Sequence, residues 1–109
     1  MYIPGKDIII TKLEVDGNAI ADFCCKWKIT EFALFGSILR DDFRPDSDVD
    51  VLVSFSQDAK WSLFDIVRMQ RELKTLFGRE VDFVQKSGLS NPFRRYEILR
   101  TKKTLYATQ

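Results

Sequence analysis

Polar and apolar residues alternate from Asp48 to Phe55, which predicts a half-buried β-strand. The two faces are Val49, Val51, Val53 and Phe55 on one side, and Asp48, Asp50, Leu52 and Ser54 on the other. Side chains two residues apart point the same way, so the two carboxylates share a face, about 7 Å apart along the strand. The apolar face, once buried, gives these carboxylates a rigid support.

Helical periodicity indicates three further elements. Asp16 or Asn18 can cap a helix whose apolar positions are Ile20, Phe23, Cys24 and Trp27. We interpret Trp27 as a core residue rather than a platform for stacking bases.

The segment from Ser62 to Phe77 has the strongest helical pattern, with a capping box at Ser62 and Asp65 and a stop at Gly78. Its predicted buried stripe is Leu63, Ile66, Met69 or Gln70, Leu73 and Leu76.

Asn91 and Pro92 open the third helix, as its cap and first-turn proline. This helix carries Phe93, Tyr96 and Leu99 on one side.

Other segments are predicted to be strands or short turns. These are strands over Ile29 to Phe35 and Glu80 to Val84, one or two helical turns from Ser37 to Asp42, and a small strand or arm at Ile8 to Ile10. The order of elements predicts an α/β (α+β) fold, a small mixed sheet flanked by helices.

Composition limits the class of protein. The chain has 109 residues, 45% apolar and 30% charged, which is typical of one globular domain. A net charge of +1 gives no overall basic footprint, so direct nucleic-acid binding is not expected. With no run of about 18 apolar residues and no signal-peptide pattern, we expect a cytoplasmic chain without a membrane partner.

Cysteine and histidine usage excludes several chemistries. Cys24 and Cys25 are adjacent, so a disulfide between them is not expected, and we interpret them as reduced thiols. The chain contains no histidine, which excludes Ser-His or Cys-His nucleophiles and a histidine base.

Candidate chemistry lies around Gly36 and Ser37. Gly36 lets a phosphate approach the main chain, and Ser37 can donate to a phosphate oxygen from a helix start. Asp48 and Asp50 can hold divalent metal together. Asp82 lies inside an apolar run, where it serves either as a metal ligand or base, or as a salt-bridged edge residue.

These residues resemble the signature of the DNA polymerase β-type nucleotidyltransferase superfamily: Gly-Ser, a spacer, Asp-x-Asp and an aspartate on a later strand. Over about residues 23 to 106 the chain is most similar to the minimal nucleotidyltransferases. The resemblance implies a single nucleotidyltransferase domain over residues 1–109, with its core at about 16–106. It also implies a palm core, with helices on one side of the sheet and the carboxylates on the other. One position departs from the pattern, because Asp41 stands where many relatives have glycine.

The resemblance also implies roles for residues. Asp48, Asp50 and Asp82 would be catalytic and bind two Mg²⁺ ions, and Gly36, Ser37, Arg40 and Ser47 would bind the nucleotide. Two of these have a second interpretation. Arg40 could instead pair with Asp42 or Asp46, and the Ser47 hydroxyl could order the loop.

The implied activity is that of an antitoxin which adds AMP from ATP to a tyrosine of a HEPN-domain RNase toxin, within a hetero-oligomer. One alternative is an antitoxin that masks its partner by binding, with nucleotide bound but not transferred. Another is modification of a small molecule, as by aminoglycoside nucleotidyltransferases. The basic segment from Arg94 to Lys103 is a solvated face, a triphosphate contact or a docking site for an acidic partner.

Overall fold

The structure, a computed structural model, describes residues 15–39 and 46–108. Its helices are α1 (Gly17–Lys26), α2 (Leu63–Phe77) and α3 (Pro92–Thr101). Its strands are β1 (Ile29–Phe35), β2 (Val49–Phe55), β3 (Val81–Gln85) and β4 (Lys103–Ala107). Short 3-10 helices follow β1 (Gly36–Leu39) and β3 (Lys86–Gly88).

The four strands form one mixed sheet in the order β3-β2-β1-β4. β1 is antiparallel to both β2 and β4, whereas β2 and β3 are parallel and are connected through α2. This confirms the predicted mixed sheet. β1 has the predicted bounds, and β2 and β3 each begin one residue later than predicted.

The sequence pattern did not predict β4. Of its five residues only Leu105 is buried, so an apolar pattern is almost absent. The strand forms because it pairs with β1, where Tyr106 lies opposite Phe32. Such long-range pairing has no local signal.

Both faces of the sheet are covered. α1 and α2 pack on the face that carries Val49, Val51 and Val53. On the other face, Ile98 of α3 packs with Leu52. The expectation that the helices lie on one side and the carboxylates on the other is therefore wrong for α3, which shares the carboxylate face.

The capping predictions for α2 are confirmed. Ser62 and Asp65 form the capping box, with the Ser62 amide donating to Asp65 at 2.9 Å, and Gly78 ends the helix at φ +67°. The predicted stripe is wrong at Leu63, which is 83% exposed. Within α2 the fully buried positions are Met69, Leu73 and Phe77, so the stripe is displaced toward the end of the helix, where the sheet lies beneath it.

Trp27 has the predicted core environment, and of the two cysteines, predicted as partly buried reduced thiols, Cys24 is buried and Cys25 is exposed. Trp27 is buried, and its ring meets that of Trp61 at 5.2 Å, edge to face. Both cysteines are free thiols. Burial, with a smaller effect of Cys25, raises the pKa of Cys24 to about 12, which keeps this thiol protonated at neutral pH.

Some predictions fall outside the described residues: the strand or arm at Ile8 to Ile10, the role of Arg40, the departure at Asp41 and the alternative pairing with Asp42. Over residues 15–39 and 46–108, no helix has the length and apolar character needed to cross a membrane.

Glu31 of β1 connects distant parts of the sheet. It pairs with Lys102 and, at 3.4 Å, with Lys86, and its side chain is only 18% exposed. Burial by itself would raise the pKa of Glu31, but Lys102 and then Lys86 outweigh that effect, so the pKa lies below its ordinary value of 4.5. The ionised carboxylate therefore stabilises the fold.

We expect Glu31→Gln to lower the free energy of unfolding by about 1–2 kcal/mol at pH 7, because two lysines lose a largely buried partner. A carboxylate whose pKa is lowered by folding contributes above its unfolded pKa and loses that contribution as the pH falls. Urea unfolding should therefore show the gap between wild type and variant closing below pH 4.5.

Glu80→Gln is the matched control, because Glu80 pairs with Lys74 at a site where both side chains are more than half exposed. An equal loss of stability in the two variants would contradict the prediction.

Candidate functional site

Three carboxylates lie at one end of the sheet, on the face shared with α3. Asp50 of β2 lies directly beside Asp82 of β3 in the parallel register. Asp48 precedes β2 by one residue and shares the face of Asp50 by strand alternation. The pairing of two strands therefore brings together the three aspartates that the sequence predicted as a group.

The electrostatics of Asp50 reflect this crowding. Burial, then the charge of Asp82, then that of Asp48, raise the pKa of the half-buried Asp50 carboxyl above its ordinary value. The Ser37 backbone N–H and the Arg94 guanidinium act in the opposite direction. Ionising Asp50 thus concentrates negative charge that a bound cation would stabilise.

Gly36 lies against Asp50 at the end of β1. It has φ +76°, a conformation that favours glycine. A Cβ atom built there would lie 3.1 Å from Cγ of Asp50 and closer still to its Oδ2. The glycine therefore leaves room for the Asp50 carboxylate, which fills the space that a side chain at this position would take.

Ser37 and Ser47 flank the same end of the sheet. The Ser37 hydroxyl donates to the backbone carbonyl of Asp48 at 3.3 Å, so it holds the 3-10 turn to the start of β2. Ser47 is half-buried immediately before Asp48. A role of either hydroxyl toward a ligand stays a prediction.

The donors fit a hard divalent cation in chemistry, and they lie on two adjacent strands. All three aspartates offer carboxylate oxygens, the ligands that Mg²⁺ prefers, from two adjacent strands. In the described part of the chain, no three acidic or thiol groups already stand in a metal-holding arrangement. As they stand, Asp48, Asp50 and Asp82 therefore do not form a metal site in this structure.

Sequence reasoning did not single out Arg94 for this site. It lies in the first turn of α3, and its charge acts on Asp50. The sequence offered Arg94 only as part of the basic segment from Arg94 to Lys103, for which a triphosphate contact was one interpretation. The helix start at Asn91 and Pro92 predicts where α3 begins but not the face of the sheet it covers.

A cleft of about 620 Å³ adjoins Gly36, between the 3-10 turn and α3. Its lining residues are Gly36, Leu39, Glu97, Arg100, Thr101 and Lys103. Another groove, of about 560 Å³, lies between α1 and α2 on the opposite face of the sheet, away from the carboxylates.

Comparison with known proteins agrees with this geometry. The family model for the nucleotidyltransferase domain matches residues 18–105. The protein adenylyltransferase MntA of Thermococcus cleftensis is 36% identical over 66 residues, which are 61% of this chain and 65% of that protein.

Two solved structures have a similar fold. A candidate minimal nucleotidyltransferase superposes with a TM-score of 0.66 and 31% identity, over 89% of this chain and 92% of that one. A complex of a tri-AMPylated Shewanella oneidensis HEPN toxin with an MNT antitoxin gives a TM-score of 0.61 at 20% identity. That match covers 85% of this chain and 71% of the matched chain. At this identity the second similarity concerns the fold alone.

We expect Gly36→Ala to lower the free energy of unfolding by about 1 kcal/mol more than Gly78→Ala does. Both glycines have a positive φ, but a Cβ at Gly78 meets nothing within 4 Å, whereas one at Gly36 meets Asp50. Gly78→Ala therefore measures the backbone strain alone. Chemical denaturation of both variants gives the difference.

Measuring Gly36→Ala and Gly78→Ala in an Asp50→Ala background tests whether contact with Asp50 causes the extra loss of stability in Gly36→Ala. There the extra cost of Gly36→Ala should disappear, because the Asp50 carboxylate is gone. An extra cost that persists in this background would mean that the Asp50 contact is not its source.

Proposed function

Since this chain belongs to the nucleotidyltransferase domain family, a family of enzymes, we propose that it transfers AMP from ATP to a hydroxyl group of a partner protein. The observation that carries the proposal is the pairing of Asp50 with Asp82 beside Gly36, where the missing side chain leaves room for the Asp50 carboxylate. Nucleotidyl transfer requires carboxylates for divalent metal next to a place where phosphates can approach the main chain.

The partner in this proposal is a HEPN-domain toxin, and the acceptor is a tyrosine of that toxin. Two comparisons support it: the Thermococcus relative is a protein adenylyltransferase, and the Shewanella complex joins an AMPylated HEPN toxin to an MNT antitoxin. The chain would then act as an antitoxin within a hetero-oligomer.

The reaction forms one bond and breaks another at the α-phosphorus of ATP. The acceptor oxygen bonds to this phosphorus, the bond to the bridging oxygen of the β-phosphate breaks, and pyrophosphate leaves. Two Mg²⁺ ions held by Asp48, Asp50 and Asp82 would supply the positive charge that offsets the developing negative charge on the phosphates.

The remaining steps belong to residues of this chain. In this proposal the phosphates bind beside Gly36 and Ser37. The Ser37 backbone N–H is hydrogen-bonded to Asp50, and its hydroxyl holds the turn to β2 through the Asp48 carbonyl. Asp82 lies on the edge strand β3, where an acceptor can approach, and accepts the proton of the attacking hydroxyl. Arg40 and Ser47 contribute further contacts to the nucleotide.

The masking alternative requires no metal-binding carboxylates. A protein that only covers its partner gains nothing from a raised Asp50 pKa and two like charges in register, which cost stability. The observed arrangement therefore favours transfer.

We expect the wild-type chain, incubated with its partner, Mg²⁺ and ATP, to add AMP to the partner. The Asp48→Asn/Asp50→Asn double variant should still bind the partner but transfer at least about 100-fold more slowly, because the metal ligands are lost. Intact-protein mass spectrometry of the partner measures the added AMP.

Asp22→Asn serves as the control, because Asp22 is an exposed acid of α1 on the opposite face of the sheet. A partner that is silenced equally by wild type and by the double variant, with no added mass in either case, would favour masking.

We expect Asp82→Asn to separate binding from transfer. The triphosphate should bind with nearly unchanged affinity, because Asp48, Asp50 and Gly36 are retained, whereas transfer should fall about 100-fold through loss of the acceptor-side carboxylate. Calorimetry with ATP and a transfer assay measure the two effects. A parallel loss of ATP affinity and rate would contradict the assigned role.

A further inference from the structure

The cations of the basic segment have different environments. Arg95 donates to the Lys86 carbonyl at 3.1 Å, and Lys102 pairs with Glu31. These two cations therefore have structural partners within the fold. Arg100 and Lys103 line the cleft beside Gly36, and Arg100 also pairs with the exposed Glu97.

The order of the strands defines where this cleft lies relative to the aspartates. Across the sheet, Asp82 lies on the edge strand β3, Asp50 on β2, Gly36 after β1 and Lys103 at the start of β4. In an in-line displacement at phosphorus, the attacking and leaving oxygens lie on opposite sides. If the acceptor approaches from the β3 edge, the leaving group extends toward β4.

We propose that the cleft lined by Arg100 and Lys103 binds the outer phosphates of the nucleoside triphosphate, and thus the pyrophosphate that leaves. This inference deepens the proposed nucleotidyl transfer and rests on it. The observations that carry it are the volume of about 620 Å³ beside Gly36 and the two cations, Arg100 and Lys103, that line the same cleft. Two cations close to a polyphosphate provide charge-assisted hydrogen bonds.

Glu97 allows a test in which phosphate binding should become tighter rather than weaker. Its carboxylate accepts from Arg100 at 3.1 Å, and both side chains are more than half exposed, so this pair is weak. The Arg100 guanidinium also lies 5.8 Å from the ring of Tyr96. Phosphate must therefore compete with Glu97 for Arg100, and loss of Glu97 strengthens phosphate binding.

The experiment is calorimetry of the full chain with ATP, inorganic tripolyphosphate and AMP, in Mg²⁺ and without acceptor protein. We expect Arg100→Gln/Lys103→Gln to weaken binding of ATP and tripolyphosphate about tenfold while AMP affinity stays unchanged. Glu97→Gln should tighten tripolyphosphate binding about twofold to fivefold, since a competing carboxylate is removed.

Arg68→Gln is the matched control, because Arg68 is an exposed cation of α2 on the opposite face. Circular dichroism and thermal melting establish that each variant is folded. Three results would each overturn the inference: equal losses for AMP and ATP, a loss no larger than that in Arg68→Gln, or a wild type without preference for triphosphate over AMP.

Failure of this inference can be told apart from failure of the proposed function. If Arg100→Gln/Lys103→Gln keeps its tripolyphosphate affinity while the wild type transfers AMP, the cleft does not bind the outer phosphates, but the proposed function stands. A chain that binds triphosphate through Arg100 and Lys103 but never transfers AMP refutes the function alone.

Discussion

Two like charges held side by side are the constraint on which this site depends. Parallel pairing of β2 with β3 sets Asp50 next to Asp82, an arrangement that opposes sheet formation. It persists because the other face of β2 is fully buried beneath α1 and α2. The core thus stabilises a concentration of negative charge that the carboxylates alone would not maintain, and a cation that binds there relieves the repulsion.

Much of this could be predicted from local pattern. The alternation from Asp48 to Phe55 predicted both the strand and the common face of its carboxylates, because side-chain direction in a strand is a local property. The caps of α2 were predicted for the same reason. Gly36 was predicted as an opening toward phosphate, but its second role, leaving room for Asp50, depends on the packing of two strands and has no signature in the sequence.

Long-range packing explains what the pattern missed. β4 has one buried residue and forms only against β1, and α3 lies on the carboxylate face because Ile98 fits over Leu52. The charge of the basic segment (Arg94 to Lys103) predicted a cationic surface, but not that its cations have different partners. Lys102 reaches across to Glu31, whereas Arg94 acts on Asp50, and only the placement of α3 separates these roles.

The strand order also bears on how the site is made during synthesis. The three aspartates all lie at or before β3, so a nascent chain that has emerged through Gln85 already contains the acidic half of the site. Arg100 and Lys103, which line the cleft beside Gly36, come from α3 and β4, so this cleft is complete only when β4 has paired with β1. Pairing between segments so distant along the chain closes a long loop and is slow relative to local structure. The three aspartates therefore emerge before Arg100 and Lys103, and the cleft that these two cations line forms only after β4 has joined the sheet.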